Sequence, residues 1–410
     1  MPFAYLKSLD PRLPRSVWTM EAGGLVNAFG NGIMFPFLII YLHNVLGFSV
    51  ATAGFVVAAG NAIGLVAGPV AGPIVDRIGG RITLAAALIL MAIGYGAYPF
   101  VDVPWQAYAA SLVAGIGNGV FWTSQSTLLA GLTPVDRRHA AFALQRVTRN
   151  LGIGLGGLTG GLIATTTNPT SFKVLFLVDA ATCLGFVVAL FFVPEPVPVE
   201  EKRLDSEGYL DVLRHRVFVA FVALNVVFVA AGYAQLELLP VFAKNEAGVT
   251  ETAIGVIFAV NTLVIVLAQL PLARALEGRR RMAALAVMTV IWAAAWLIVC
   301  ATGAYAEAAT AAVLFGFAAA VFAVGECLQG PTQGALVADL APERLRGRYM
   351  AVSTTSWQVG FVIGPALGGL ILSTKPLALW PLAALACLLA GAGALLLERH
   401  LPPGLRLTPR

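Results

Sequence analysis

The sequence predicts an all-α membrane protein with twelve transmembrane helices in two six-helix bundles and both termini in the cytoplasm. Three observations predict it: the composition, the long apolar segments and an internal repeat. Of the 410 residues, 59 % are hydrophobic and 11 % are charged, whereas a soluble domain is about 45–50 % apolar and about 25 % charged. So little polar surface excludes a soluble enzyme, a secreted disulfide-rich scaffold and a disordered chain.

Division of the chain at charges, prolines and turn residues gives twelve apolar segments. Many are long enough to cross ~30 Å of hydrocarbon as a helix. The segments are 17–43, 50–74, 82–100, 105–131, 138–164, 172–193, 217–242, 251–275, 282–301, 306–338, 347–373 and 377–397. One long polar stretch separates the sixth from the seventh. We therefore expect an N-terminal bundle at 1–193, a cytoplasmic linker at 194–216 with a short helix near Tyr209–Arg214, and a C-terminal bundle at 217–410.

The basic residues predict the orientation, because cytoplasmic loops of multi-pass proteins carry an excess of Lys and Arg. The N-terminus, the even-to-odd connections and the C-terminus hold 21 of the 26 basic residues, and the odd-to-even connections hold Lys173, Lys244 and Lys375. Both termini and the linker are therefore expected in the cytoplasm, beneath a bacterial inner (plasma) membrane. We expect no cleaved signal peptide. The net charge of +5 is then explained by the basic residues of the cytoplasmic loops. We therefore expect no nucleic-acid partner.

The two halves of the chain align with each other at an offset of 208 residues. Thr127–Ile163 aligns without gaps with Ala335–Ile371, and Gly117-Asn118 aligns with Gly325-Glu326. The small-residue motifs of spans five and eleven are Gly152, Gly156, Gly160 and Gly161, and Gly360, Gly364, Pro365, Gly368 and Gly369. Any one of these glycines can serve close helix packing in lipid. Parallel repeats of six spans are, however, typical of transporters.

The connection after span two carries a loop motif, Gly72-Pro-Ile-Val-Asp76-Arg77-Ile-Gly79-Gly80-Arg81. It resembles the GxxxD(R/K)xG(R/K)(R/K) loop of the major facilitator superfamily, with Gly80 in place of one basic residue. The glycine patterns of spans five and eleven resemble the antiporter motif of that superfamily, and the chain as a whole resembles its 12-span drug:proton antiporters. The resemblance implies a cytoplasmic gate formed by Gly72, Asp76, Arg77, Gly79 and Arg81. In such a gate the Asp contacts the start of span eleven, here near Tyr349.

One position departs from the family pattern. The antiporter motif of span four places an Arg four residues before a Gly, where this chain has Gly115 before Gly119. Any coupling to protons must therefore use other groups. The stretch Gly325–Pro331 (GECLQGP) resembles drug exporters that place a functional Glu in span ten, which implies a role for Glu326.

Glu326 is also the leading candidate from the charges alone. A charge deep in the bilayer costs about 2.5–3.5 kcal/mol on insertion scales and is a functional candidate by default. Glu326 lies near the middle of span ten, about 13 residues or ~20 Å of helix before Asp339. Pro331 lacks the N–H that the carbonyl of Cys327 would accept. A carboxyl group in such a place can take up and release a proton, and the alternative is a protonated Glu that only hydrogen-bonds to a neighbouring helix.

Six further residues are candidates for contact with protons or substrate: Arg149, Asn118, Glu237, Glu21, Asn31 and Gln358. Arg149 and Asp179 reach a similar depth in spans five and six, so that a structural ion pair between them competes with a substrate or gate role. Glu237 is expected near the outer mouth, where a gate role competes with simple solvation. Glu21 lies one turn into span one, where the positive end of the helix dipole favours an anion.

These observations predict a secondary active transporter that works by alternating access and exports small amphipathic or drug-like compounds in exchange for protons. The alternative is proton-coupled uptake or exchange of a sugar or another small nutrient. A polytopic membrane enzyme is a remote alternative, because the four histidines lie at span ends or in loops and no nucleophile motif is present. We expect no cofactor and no metal, with a small-molecule substrate, protons and membrane lipids as partners, and function as a monomer.

Overall fold

The computed structural model describes residues 13–134, 137–196, 208–342 and 345–408. Within these ranges the chain is helical, apart from turns and an isolated β-bridge between Arg280 and Leu407. The long helices are α1 (Arg15–Met34), α2 (Val50–Ile78), α3 (Gly80–Ala97), α4 (Pro104–Leu132), α5 (Arg138–Ile163), α6 (Pro169–Leu190), α7 (Arg216–Ala231), α8 (Glu251–Ala275), α9 (Arg281–Tyr305), α10 (Ala308–Leu340), α11 (Arg346–Thr374) and α12 (Leu379–Glu398). A short helix, Gly208–Arg214, lies where the sequence predicts one.

Ten helical segments of the described residues are long and apolar enough to cross a membrane. The helices α4 and α5 are not among them, although they have 29 and 26 residues. Both are rich in Gly and carry Thr and amide side chains, α4 also carries three serines, and α5 carries three arginines. Hydropathy alone therefore does not identify them as spans.

Two of the predicted spans are not continuous α-helices. After α1 the chain passes through a 3₁₀ turn at Phe35–Phe37, one α-helical turn at Leu38–Ile40 and a π-helical turn at Tyr41–Val45. After α7 the helix breaks at Gly232, continues as a 3₁₀ turn at Tyr233–Glu237 and resumes as Leu239–Ala247. Pro240 lies in the first turn of the resumed helix, where its missing N–H has no cost.

The chain forms two compact units. The N-terminal unit holds the chain up to residue 35 together with 59–202, and the C-terminal unit holds 36–58 together with 203–410. In the N-terminal unit, α1 packs on α5 and α6, and α3 packs on α4 and α6. In the C-terminal unit, α7 packs on α11 and α12, α9 packs on α10 and α12, and α8 packs on α10.

Close crossings at small residues shape both units. A methyl group at Gly156 of α5 would lie 2.1 Å from the carbonyl oxygen of Phe29 on α1. In the C-terminal unit, a methyl group at Gly364 of α11 would lie 2.2 Å from Cβ of Ala234. Both distances are far below van der Waals contact, so these glycines allow backbones to approach as small residues do in lipid.

Another close crossing, between α2 and α4, explains why the Arg of the family motif is absent from this chain. A Cβ at Gly115 of α4 would lie 2.1 Å from the carbonyl oxygen of Gly60 on α2, and a Cβ at Gly119 would lie 2.3 Å from that of Gly64. Two helices that touch through their backbones leave no room for a side chain. An Arg at position 115 is incompatible with this packing.

Candidate functional site

Glu326 is held on α10 by a polar contact from α8. Asn261 donates a hydrogen bond from Nδ2 to Oε2 of Glu326 (2.9 Å) and a second one to the carbonyl oxygen of Ala319 (3.3 Å). Glu326 is half-buried. A half-buried carboxyl group that accepts from a neutral amide can bind a proton or a cationic group.

The backbone next to Glu326 is adapted to the proline that follows. Pro331 has no N–H, so the carbonyl of Cys327 lacks its helical donor. Gln269 on α8 supplies a donor from Nε2, 3.3 Å from that carbonyl oxygen. Asn261 and Gln269 of α8 thus bind the carboxyl group and a backbone carbonyl of the same turn of α10.

The C-terminal unit contains an aromatic cluster, and one of its rings lies on the helix that carries Glu326. Phe322 precedes Glu326 by four residues on α10 and therefore shares its face. The ring of Tyr233 lies 5.1 Å from that of Trp292, 4.9 Å from that of Trp357 and 5.9 Å from that of Phe322, between centroids. Tyr233 and Trp357 are half-buried. Trp292 and Phe322 are fully buried, so Tyr233 and Trp357 form the aromatic wall of the C-terminal unit that an apolar or cationic ligand can stack against.

An amide and hydroxyl cluster follows Glu326 along α10, and sequence reasoning missed it. Gln329 donates to Gln333 (3.0 Å) and to Asn225 of α7 (3.3 Å), and Asn225 donates to Ser356 of α11 (2.6 Å). All four side chains are buried. The spacing of Glu326, Gln329 and Gln333 by three and four residues marks one helix face and is the signal that could have found the cluster.

The N-terminal unit carries a related arrangement in the register of the repeat. Thr148 of α5 donates a hydrogen bond to Oε2 of Glu21 on α1 (2.9 Å). Thr148 lies 208 residues before Ser356, and Gln125 lies 208 residues before Gln333. Each unit thus places a hydroxyl on its fifth helix against a polar side chain on its first. Glu21 is buried, and its Oε1 has no hydrogen-bond partner among the described residues.

Arg149 stacks on the indole ring of Trp122 and does not form an ion pair with Asp179. Its guanidinium carbon lies 4.4 Å from the centroid of Trp122, whose Nε1 donates to Oδ1 of Asn118 (2.8 Å). Asn118 in turn hydrogen-bonds to Tyr95. Neither oxygen of Asp179 has a hydrogen-bond partner among the described residues. The structural alternative of an Arg149–Asp179 pair is wrong for this conformation.

The remaining candidates lie apart from these clusters. Asn31 donates to the carbonyl of Asn27 in its own helix (2.8 Å), and Gln358 is half-buried beside Trp357. Glu237 lies at the end of the 3₁₀ turn that interrupts the seventh span. It is 7 % exposed, and its Oε2 has no partner among the described residues, so that it is enclosed and not solvated.

The loop motif between α2 and α3 is organised by a residue that the sequence did not single out. Gly79 has a φ of +91°, which favours glycine. The carboxylate of Glu195 accepts hydrogen bonds from the backbone N–H of Arg81 (3.1 and 3.3 Å) and lies 3.8 Å from its Nε. Glu195 therefore caps the start of α3 and binds its first Arg. Asp76 and Arg77 are exposed.

The corresponding loop between α8 and α9 is fixed in a similar way. Arg280 binds Glu398 at the end of α12 through Nε (3.0 Å), and this hydrogen bond and charge raise the pKa of Arg280 above its ordinary value. Arg281, which is buried, donates to Oδ2 of Asp339 on α10 (2.6 Å). In both loops, arginines thus bind carboxylates from later parts of the same unit.

The described residues contain no group of three or more His, Cys, Asp or Glu side chains that could hold a metal ion.

Comparison with known proteins shows which family and which relatives this chain resembles. The family model described as Major Facilitator Superfamily matches residues 21–246 and again 233–410. The multidrug resistance protein MdtH of Cronobacter sakazakii is 26 % identical over 345 residues, which cover 82 % of this chain and 81 % of that protein. A Na(+), Li(+), K(+)/H(+) antiporter of Planococcus maritimus is 24 % identical over 368 residues, which cover 81 % of this chain and 84 % of that protein.

Solved structures share the fold. The crystal structure of a POT family transporter in complex with 5-aminolevulinic acid superposes with a TM-score of 0.79 at 16 % identity, over 93 % of this chain and 96 % of that one.

Proposed function

Because this chain belongs to the major facilitator superfamily and is a transporter of small molecules, not an enzyme, we propose that it exports small amphipathic compounds in exchange for protons. The observation that carries the proposal is the half-buried Glu326, whose carboxyl group accepts a hydrogen bond from Asn261 of α8 (2.9 Å). The carboxyl group would bind either a proton or the polar end of the substrate, and the aromatic wall would bind the apolar part. Similarity to a multidrug resistance protein supports the direction.

The coupling follows from competition at one group. A proton and a cationic substrate cannot both neutralise the same carboxylate, so the binding of one favours release of the other. Exchange across the membrane then requires that the site open alternately to each side. Glu21 and Glu237, both buried with an unpartnered oxygen among the described residues, are proposed as further proton or substrate contacts.

We propose the membrane arrangement together with the function. Twelve spans, both termini and the 194–216 linker in the cytoplasm, and bundles at 1–193 and 217–410 are supported by the basic residues and by the helices α1–α12. Residues 197–207 of the linker lie outside the described residues. We propose a bacterial inner (plasma) membrane, monomeric function, and a gate role for Gly72, Asp76, Arg77, Gly79 and Arg81. Reporter tags at each end, tested for accessibility in intact cells, check the orientation.

The test of the export proposal uses Glu326→Gln and Glu307→Gln in proteoliposomes with an imposed pH gradient. Glutamine keeps the shape of Glu326 and can still accept from Asn261, but it binds no proton, so we expect folded protein without gradient-driven movement of ethidium. Glu307 is exposed, precedes the same helix and makes no side-chain cap, so its variant should match the wild type. Normal gradient-driven export by Glu326→Gln would contradict the proposal.

A second candidate is proton-coupled uptake or exchange of a sugar or another small nutrient. The amide and hydroxyl cluster of Asn225, Gln329, Gln333 and Ser356 favours it, because hydroxyl-rich cargo is recognised by such groups. A panel of dyes, drugs and sugars in the same proteoliposomes separates the two candidates by which compounds move and in which direction.

A further inference from the structure

Asp179 lies at the middle of α6 and is completely enclosed by the N-terminal unit, with 0 % of its surface exposed. Neither Oδ1 nor Oδ2 has a hydrogen-bond partner among the described residues. Thr182, one turn further on, donates its hydroxyl to the backbone carbonyl of Asp179 (2.7 Å) and not to the carboxyl group. The side chain is thus polar, buried and unpartnered, and the mechanism proposed above does not use it.

The space around Asp179 is shaped by its neighbours on α1 and α3. A methyl group at Gly30 of α1 would lie 2.8 Å from Oδ1 of Asp179 and would overlap the hydroxyl of Thr182. The phenol of Tyr95 and the thiol of Cys183 are close enough to interact electrostatically with the carboxyl group. The missing side chain at Gly30 therefore makes the room that the carboxyl group occupies.

None of the ion pairs among the described residues includes Asp179. The charged side chains on α6 and on the helices packed against it are Arg15, Glu21, Arg81, Arg138, Arg146, Arg149 and Lys173. Of these, Glu21 binds Thr148, Arg81 binds Glu195 and Arg149 stacks on Trp122. An ionised carboxylate buried without a hydrogen bond or a counter-ion is very costly, so the neutral acid is the form that fits this site.

We propose that Asp179 is a proton-binding site of the N-terminal unit, which holds its proton in this conformation and exchanges it during the transport cycle. A sealed acid can lose its proton only when the surrounding helices admit water or a cation, so its protonation changes with the conformational state. The exchange during transport rests on the proposed function, whereas the bound proton does not. Asp179 would then carry a proton in the N-terminal unit, beside the contact proposed for Glu21, as Glu326 would in the C-terminal unit.

Infrared spectroscopy of the purified wild-type protein tests the bound proton directly. Aspartate labelled with ¹³C shifts the C=O stretch of a protonated aspartic acid and leaves the glutamic acids Glu21, Glu237 and Glu326 unshifted. Asp179 is the buried aspartate of the described residues, so we expect one label-sensitive band at neutral pH. Asp179→Asn should lose that band and Asp102→Asn, at an exposed position, should keep it. A wild type without the band, or a band that survives in Asp179→Asn, would overturn the proposal.

The transport arm uses the same variants in proteoliposomes with an imposed pH gradient and ethidium as the probe. Asparagine matches the neutral acid in shape, so we expect Asp179→Asn to fold and to lose gradient-driven movement, while Asp102→Asn keeps it. Unchanged coupling in Asp179→Asn, or an ionised aspartate together with an Asp179-dependent ²²Na⁺ flux, would overturn the proposal. If the wild type moves no probe, the export proposal fails and the infrared band still decides whether the proton is bound.

Discussion

Gly156 of α5 lies against the backbone of α1, and its replacement by alanine is predicted to destabilise the N-terminal unit. The added methyl group would lie 2.1 Å from the carbonyl oxygen of Phe29, 2.8 Å from the amide nitrogen of Ile33 and 2.9 Å from Cα of Gly32. All three are backbone atoms, which cannot rotate away. Ordinary contacts are ~3.5 Å, so α1 and α5 would have to separate by roughly 1.4 Å.

Two opposing effects determine how far Gly156→Ala lowers the free energy of unfolding. Alanine favours a helix over glycine by about 0.8–1.0 kcal/mol. An extra methylene forced into a packed site costs about 1–3 kcal/mol, and rigid backbone neighbours favour the upper half of that range. We therefore expect a net loss of about 1–2 kcal/mol, which lowers the melting temperature by about 2–8 °C for a unit of this size.

The measurement is the fraction of monodisperse protein left after heating in detergent, recorded by fluorescence-detected size-exclusion chromatography. Gly316→Ala on α10 is the matched control, because a methyl group there would meet nothing within 4 Å and only the gain in helix propensity remains. The reasoning is refuted if Gly156→Ala melts at or above the wild-type temperature.

Three further predictions concern positions where one contact decides the outcome. Gly115→Arg restores the family residue and should yield no monodisperse protein, because its Cβ would lie 2.1 Å from the carbonyl oxygen of Gly60. Gly72→Ala is the control, because a Cβ there would meet nothing within 4 Å. A well-folded Gly115→Arg variant would contradict the packing argument. Glu195→Gln should lower the free energy of unfolding by only about 0.2–1 kcal/mol, because the side chains of Glu195 and Arg81 are 31 % and 35 % exposed. If this variant melts at the same temperature as Glu307→Gln, the contact between Glu195 and Arg81 contributes nothing to stability. Asp339→Asn leaves the buried Arg281, whose side chain is 2 % exposed, with a weaker partner. It should therefore lower the free energy of unfolding by about 1–3 kcal/mol. A melting temperature equal to that of Asp102→Asn would contradict this prediction.

The sequence predicts the helices well because their signal is local. Apolar segments bounded by charges and turn residues recur as α1–α12, and apart from the interrupted first and seventh spans their ends shift by a few residues. The interruption of the seventh span was not predicted, because Gly232 and Pro240 lie inside an otherwise apolar segment. Apolar composition reports that a segment is buried in lipid, and it says little about whether its backbone stays helical.

The contacts of the site were predicted less completely, for a geometric reason. Counting residues along a helix gives the depth of a side chain, and Arg149 and Asp179 do share a depth. The rotation of each helix about its axis decides which neighbour a side chain meets, and here Arg149 meets Trp122 instead. Glu195 was missed because it meets Arg81 across 114 residues of chain, and a single sequence contains no signal for such a pairing.

Residues 36–58 belong by their contacts to the C-terminal unit, although they lie within the first fifth of the chain. A Cβ at Gly54 would lie 2.3 Å from the carbonyl oxygen of Pro365, and Asn44 donates to Asn245 (2.7 Å). The boundary between the two contact units therefore does not follow the order of the chain. A gene fragment that ends in the linker would encode residues 36–58 without the part of the chain against which they pack.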